Sequence, residues 1–117
     1  MSKSTDELLG HVLDEICFLE RQCAAITEEQ FMYDEVKQRA FARSLEIIGE
    51  AVKMISDEFR SLHPEIDWKS FAGLRDKLIH HYFGVDYALV WDVITHELPG
   101  LKTQLLAILP GDTPTNG

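Results

Sequence analysis

Two cysteines, four prolines and no long apolar run define this 117-residue chain by what it leaves out. No stretch approaches the ~20 consecutive apolar residues that cross a bilayer, so no membrane span is expected. Cys17 and Cys23 lie six residues apart on one expected helix, about 9 Å along its axis, which is beyond disulfide reach. With no CxxC pair there is neither a disulfide framework nor a zinc signature, and both thiols read as reduced packing residues. Sustained period-2 alternation is absent, as are Asn-Gly or Asp-Gly turns between apolar runs, which argues against a sheet. Positive charge is scarce: 11 Lys and Arg against 20 Asp and Glu, for a net charge of −9. That excludes nucleic-acid binding by bulk electrostatics, so any RNA site must be a local basic cleft on an acidic body. Met1–Glu7 carries no apolar stretch of a signal-peptide kind, and a cytoplasmic location is the expectation.

What remains is helical periodicity. Ser4 and Glu7 form a capping box for a helix from Thr5 to about Ala25, with Leu8, Leu9, Val12, Leu13, Ile16, Leu19 and Cys23 on one face. Thr27 and Gln30 form a second box, opening a short turn that carries Phe31 and Met32. Asp34 caps a long second helix expected to reach about Leu62, with Val36, Ala40, Ile47, Ile48, Ala51, Ile55, Phe59 and Leu62 as its apolar stripe. Pro64 ends it, since the residue before proline disfavours the helical region. Asp67 caps a third helix from Trp68 to about Tyr82, closed by Gly84. Asp86 caps a fourth from Tyr87 to about His96, and Pro99 separates or bends a fifth over Leu98 to Leu109. The expectation is an all-α antiparallel bundle of four to five helices in one domain over residues 1–110, with a disordered polar tail over 111–117.

The chemistry concentrates in Arg75-Asp76-Lys77-Leu78-Ile79-His80-His81-Tyr82. On a continuous helix, Arg75 and Tyr82 share one side next to the buried face, where Leu74, Leu78 and Phe71 point to the core. An inward arginine needs a partner, and Glu46 and Glu50 on the second helix are the candidates. A structural ion pair is the plain reading of that arrangement. The chemical reading uses the histidines, which titrate near neutrality. RNA carries its own nucleophile, the 2′-hydroxyl. Cleavage needs a proton-transfer group and a cation beside the phosphorane-like transition state, and histidine and arginine supply these without metal. The sequence offers no compact Asp/Glu/His metal cluster. On an ideal helix, however, Arg75 and His80 lie about 140° and ~7.5 Å apart. Two copies meeting across a two-fold axis would bring two Arg/His sets into one cleft, so a homodimer is expected.

Arg75-(x)4-His80-x-Tyr82 resembles the RX4HXY motif of the HEPN superfamily, in its HepT-like branch. Asp76 stands where Asn or Asp commonly follows the arginine, and Leu45-Glu46-Ile47-Ile48-Gly49-Glu50-Ala51 resembles that family's LEIIGEA stretch. Trp68, Tyr82-Phe83-Gly84-Val85-Asp86 and Trp91 follow in order, so the resemblance covers about residues 6 to 109. It implies a dimeric all-α toxin of a toxin–antitoxin system that cleaves RNA without a cofactor. Arg75 and His80 would be its catalytic pair and Asp76 the polar residue supporting them. It further implies AMP transfer to Tyr82 by a minimal nucleotidyltransferase antitoxin. The added negative charge and bulk would repel or block RNA at the mouth of the site.

Other residues carry less. Gly49 sits in mid-helix, where glycine costs ~1 kcal/mol against alanine, and is expected to allow close helix packing. Trp68 and Trp91 read as core anchors. Arg39 and Arg43, one turn apart, and His81 are the RNA-binding candidates, although a solvated face is the plain reading of the basic edge they share with Lys37 and Lys53. Two functional alternatives stay open. One is a non-catalytic helical module that binds a nucleotidyltransferase, with Arg75 structural. The other is a cleft that takes a nucleotide rather than RNA.

Overall fold

A computed structural model describes residues 4–80 and 84–109. The chain runs through α1 (Thr5–Ala24), α2 (Glu28–Met32), α3 (Glu35–Lys53), α4 (Asp57–Leu62), α5 (Trp68–Ala72), α6 (Leu74–Leu78), β1 (Ile79–His80), β2 (Gly84–Val85), α7 (Tyr87–Asp92), a π-helical turn (Val93–Glu97) and α8 (Leu98–Ile108). The fold is all-α, with one two-residue antiparallel ladder that pairs Ile79 with Val85 and His80 with Gly84. No described helix is long and apolar enough to cross a membrane.

The helix starts follow their caps. Ser4 and Glu7 exchange hydrogen bonds at the head of α1, and Thr27 and Gln30 do the same at α2. Asp34, Asp67 and Asp86 each accept from the backbone N–H three residues on. Each cap satisfies one of the donors that a helix N-terminus leaves without a partner.

α1 and α3 form the frame and run antiparallel. Lys37 Nζ donates to Gln22 Oε1 at 3.0 Å, and Ser44 Oγ donates to Glu15 Oε1 at 2.6 Å, so a rising number on α1 meets a falling one on α3. The core lies between them and α5–α8, around Val12, Ile16, Phe41, Leu45, Ile48, Leu74 and Leu101. An aromatic cluster closes one end: Phe31 stacks on Phe41 at 4.9 Å and meets Trp91 at 5.3 Å. Trp68 is buried and donates from its indole nitrogen to the His63 carbonyl at 2.9 Å.

Three sequence expectations need correction. The long second helix is two helices. It stops at Lys53, and Ser56 caps α4 through Phe59 N–H. Arg60, from α4, covers the open end of α3 by donating to the Val52 carbonyl at 2.7 Å. The stripe of α3 is also rotated. Phe41, Ser44, Leu45, Ile48 and Val52 face the core, because α1 and α5–α6 both pack on that side, whereas Val36 and Leu62 lie 79% and 73% exposed. The third helix, expected to reach Tyr82, breaks at Gly73 and ends at Leu78. The backbone turns extended at Ile79, with φ −111° and ψ 118°. The expected tail over 111–117 lies outside the described residues.

Candidate functional site

α6 presents the motif arginine, and α3 presents its partner. Arg75 Nε donates to Glu46 Oε2 at 3.0 Å. The same carboxylate takes Arg43 at 3.4 Å through Oε1, and Arg43 lies 3.8 Å from Glu50. Glu46 was one of the two expected partners. Glu50, the other, pairs with Arg43 instead. Gly49 lets the two helices approach this closely. A Cβ there would sit 3.4 Å from the Phe71 carbonyl oxygen and 3.6 Å from the Leu74 Cβ. That is contact distance for one methyl and leaves no room for a larger side chain.

The wheel direction of Arg75 does not hold. Its side chain is 57% exposed, against 23% for Glu46, so the guanidinium stands at the surface with a half-buried carboxylate behind it. Glu46 is its one ion-pair partner among the described residues. An ion pair this exposed contributes only ~0–1 kcal/mol to stability. It is a weak structural brace.

The 140° separation from His80 also lapses, because the helix ends between the two residues. His80 is exposed on β1, opposite Gly84. Gly84 has φ +74°, the left-handed region in which a side chain is strained. The hairpin is pinned at its base by Asp86 N–H donating to the Leu78 carbonyl at 2.8 Å. α6 is tied from its other side by Lys77 Nζ, 3.2 Å from Glu97 Oε2 on the π-helical turn. Asp76 and His80 are exposed and form no side-chain hydrogen bond or ion pair among the described residues. Arg39 pairs with Glu35 at 3.3 Å, one turn from the Arg43–Glu46–Arg75 cluster. His81 and Tyr82 lie outside the described residues. The described residues contain no group of three or more His, Cys, Asp or Glu placed to hold a metal ion.

The contribution of Lys77 and Glu97 escaped the sequence reading. Its only signal is Pro99 two residues after Glu97, which marks irregular helix geometry upstream of it.

The sequence comparisons bear on this geometry. A family profile described as "Ribonuclease HepT-like" matches residues 12–108. The chain belongs to the HepT-like ribonuclease family. Among its HepT-like relatives is a protein of Caldanaerobacter subterraneus subsp. tengcongensis named "Putative RNase". It is 50% identical over 107 residues, covering 92% of this chain and 96% of the relative. A "Probable ribonuclease HepT" from Thermococcus cleftensis is 43% identical over 102 residues, covering 87% and 93%. No solved structure matches.

Proposed function

We propose that this HepT-like chain is a metal-independent endoribonuclease, the toxin of a toxin–antitoxin pair, with Arg75 and His80 as its catalytic residues. The observation that carries this reading is the exposed Arg75 guanidinium. It is held through Nε by Glu46, which leaves its two terminal nitrogens for a phosphate. The family of the chain and the names of its relatives support the substrate class.

The chemistry balances on these residues and water. His80 takes the proton of the 2′-hydroxyl, and the resulting oxygen attacks the adjacent phosphorus. Negative charge builds on the phosphoryl oxygens, where Arg75 stabilises it. The P–O5′ bond breaks, the 5′-oxygen takes a proton from water, protonated His80 returns its proton to the solvent, and a 2′,3′-cyclic phosphate remains on the other fragment. Asp76, exposed next to Arg75, supports the pair, and Arg43, with Arg39 a turn away and His81 beside His80, binds flanking phosphates. Glu46 is a positioning residue that acts through Arg75.

Regulation follows on Tyr82, two residues beyond His80. AMP placed there by a minimal nucleotidyltransferase antitoxin would add negative charge and bulk to the motif and exclude RNA. Co-expression with such an enzyme is expected to add the mass of one AMP to Tyr82. An unmodified tyrosine under those conditions contradicts the regulatory claim.

The catalytic claim is tested by RNA cleavage in EDTA. Wild type is expected to cleave and His80→Ala to lose at least ~100-fold, within the usual range for removing a proton-transfer group. Equal cleavage by both proteins, or an absolute need for a divalent ion, contradicts the mechanism.

A further inference from the structure

The N-terminal end of α3 borders an open hollow of about 670 Å³, within the ~300–1,000 Å³ range of small-molecule sites. Ile26, Tyr33 and Val36 give it apolar walls, and Glu29 and Glu35 add carboxylates. Tyr33 is 87% exposed and Val36 79%, although both carry large apolar groups. Exposed apolar groups gathered in one hollow mark a binding surface in a way that scattered ones do not. The corner that carries the ring is fixed. α2 has only five residues, yet Phe31 anchors it by stacking on Phe41 and meeting Tyr87 and Trp91. Gln38 Nε2 donates to the Met32 carbonyl at 3.0 Å, and Asp34 caps α3 directly after the ring. The backbone under Tyr33 therefore has little freedom to lose when a ligand stacks there.

The hollow and the motif arginine share one face. On the α3 wheel, Val36, Arg39, Arg43 and Glu46 fall within about 80° of one another. Arg39 and Arg43 are exposed along this stripe, and Glu46 holds Arg75. From Val36 to Glu46 the stripe runs ~15 Å.

We propose that the hollow is a base-binding subsite, in which an unpaired RNA base stacks on Tyr33 while its strand crosses Arg39 and Arg43 to reach Arg75. This deepens the ribonuclease reading and rests on it for the path of the strand. A distance of ~15 Å spans about four nucleotides at the ~3.4 Å rise of a stacked strand, and fewer where the strand is stretched. Charge decides which part of the nucleotide enters. Glu29 and Glu35 repel phosphate, so the backbone stays over the arginines and the base alone turns inward. Every base offers a ring face to an aromatic side chain. Glu29 selects among the bases. Its side chain forms no hydrogen bond or ion pair among the described residues, so its carboxylate is free to accept from an exocyclic amino group, as carboxylates accept from cytosine N4. Uracil has no amino group to offer. A cationic protein segment would also suit acid-edged apolar walls, but the arginines that lead away from them oppose it and favour a phosphate-bearing strand.

Fluorescence anisotropy with short oligocytidine, read on a His80→Ala background so that the strand stays whole, tests the subsite. Tyr33→Ala is expected to weaken binding about tenfold, within the range for losing one stacked base. The salt dependence should not change, because no phosphate contact is lost. Tyr33→Phe keeps the ring and is expected to bind like its background. Arg43→Ala is expected instead to reduce the salt slope by ~0.7. The background should prefer oligocytidine to oligouridine, and Glu29→Ala should erase that preference. These side chains are exposed, so the substitutions leave the core intact. Tyr33→Ala with unchanged affinity overturns the subsite and leaves the hollow to a protein partner. An equal loss in Tyr33→Phe overturns the stacking, and a base preference that survives Glu29→Ala overturns the role of that carboxylate. Tyr33-dependent binding of RNA that the wild type never cleaves overturns the ribonuclease reading and leaves the subsite standing. Cleavage by the wild type with binding indifferent to Tyr33 overturns the subsite alone, and no RNA binding at all overturns both.

Discussion

At the scale of single residues, the informative contact is Arg75 to Glu46. An exposed guanidinium with a half-buried carboxylate behind it is held but still reachable. Glu46→Ala removes both the brace and the negative charge beside Arg75. Cleavage rate is expected to fall ~10-fold, because misplacing a catalytic group costs at least that much, while RNA binding is unchanged or tighter. A fall in binding with an unchanged rate would assign Glu46 a different role. Glu46→Gln keeps an acceptor for Nε and is expected to recover part of the rate. The cysteines behave differently. Burial raises the Cys23 thiol to about 11, so it stays protonated near neutrality and is expected to alkylate more slowly than a free thiol in a peptide at pH 8. A raised thiol favours the folded protein below its ordinary value near 9.0. That contribution is lost as pH rises from there toward 11, which urea unfolding across the interval would show.

At the scale of elements, helix starts were legible and helix ends were not. Ser4, Thr27, Asp34, Asp67 and Asp86 each announce a cap, because a side-chain acceptor for an open N–H is a local feature. The breaks at Lys53 and Gly73 are set by what packs against the helix. Arg60 closes the end of α3 from six residues beyond its C-cap Met54. Ser56 followed by Asp57 and Glu58 was the overlooked start signal. The extended backbone at Ile79 depends on pairing with Val85, which periodicity does not report. For the same reason the expected stripe of α3 mixed two faces: Ile48 and Ala51 belong to the core, whereas Val36 and Ala40 are exposed and Ile47 is half-buried. In the site, the Arg75–Glu46 pair was legible from helical spacing, whereas the placement of His80 on a strand was not. Two variants test this local architecture. Gly49→Ala is expected to change stability by less than ~1 kcal/mol, since better helix propensity offsets a tight methyl. Gly49→Val, which crowds α5 and α6, is expected to cost ~1–3 kcal/mol. Asp86→Ala removes the α7 cap and is expected to cost ~1 kcal/mol in a thermal melt. The backbone N–H of residue 86 still pins the base of the hairpin that carries His80, so the cleavage rate of the folded variant is expected to stay close to wild type.

At the scale of the whole molecule, an acidic body carries a small cationic patch. The net charge of −9 leaves few phosphate contacts available. On the proposed ribonuclease reading, Arg75, Arg43 and Arg39 would neutralise two or three phosphates per RNA. The logarithm of affinity should then fall with the logarithm of salt at a slope of about −1.4 to −2.1, since single strands give ~0.7 per contact. A slope steeper than about −4 would require a basic track that the described surface lacks.

The central claim is that Arg75 acts on RNA rather than bracing the fold, and one paired measurement on Arg75→Ala separates the two. Cleavage of RNA in EDTA and thermal unfolding are followed on the same preparation. The account predicts a loss of cleavage of ~100-fold or more with stability changed by less than ~1 kcal/mol, the value of an exposed ion pair. A variant that unfolds several degrees earlier yet, where folded, cleaves as fast as wild type would contradict it.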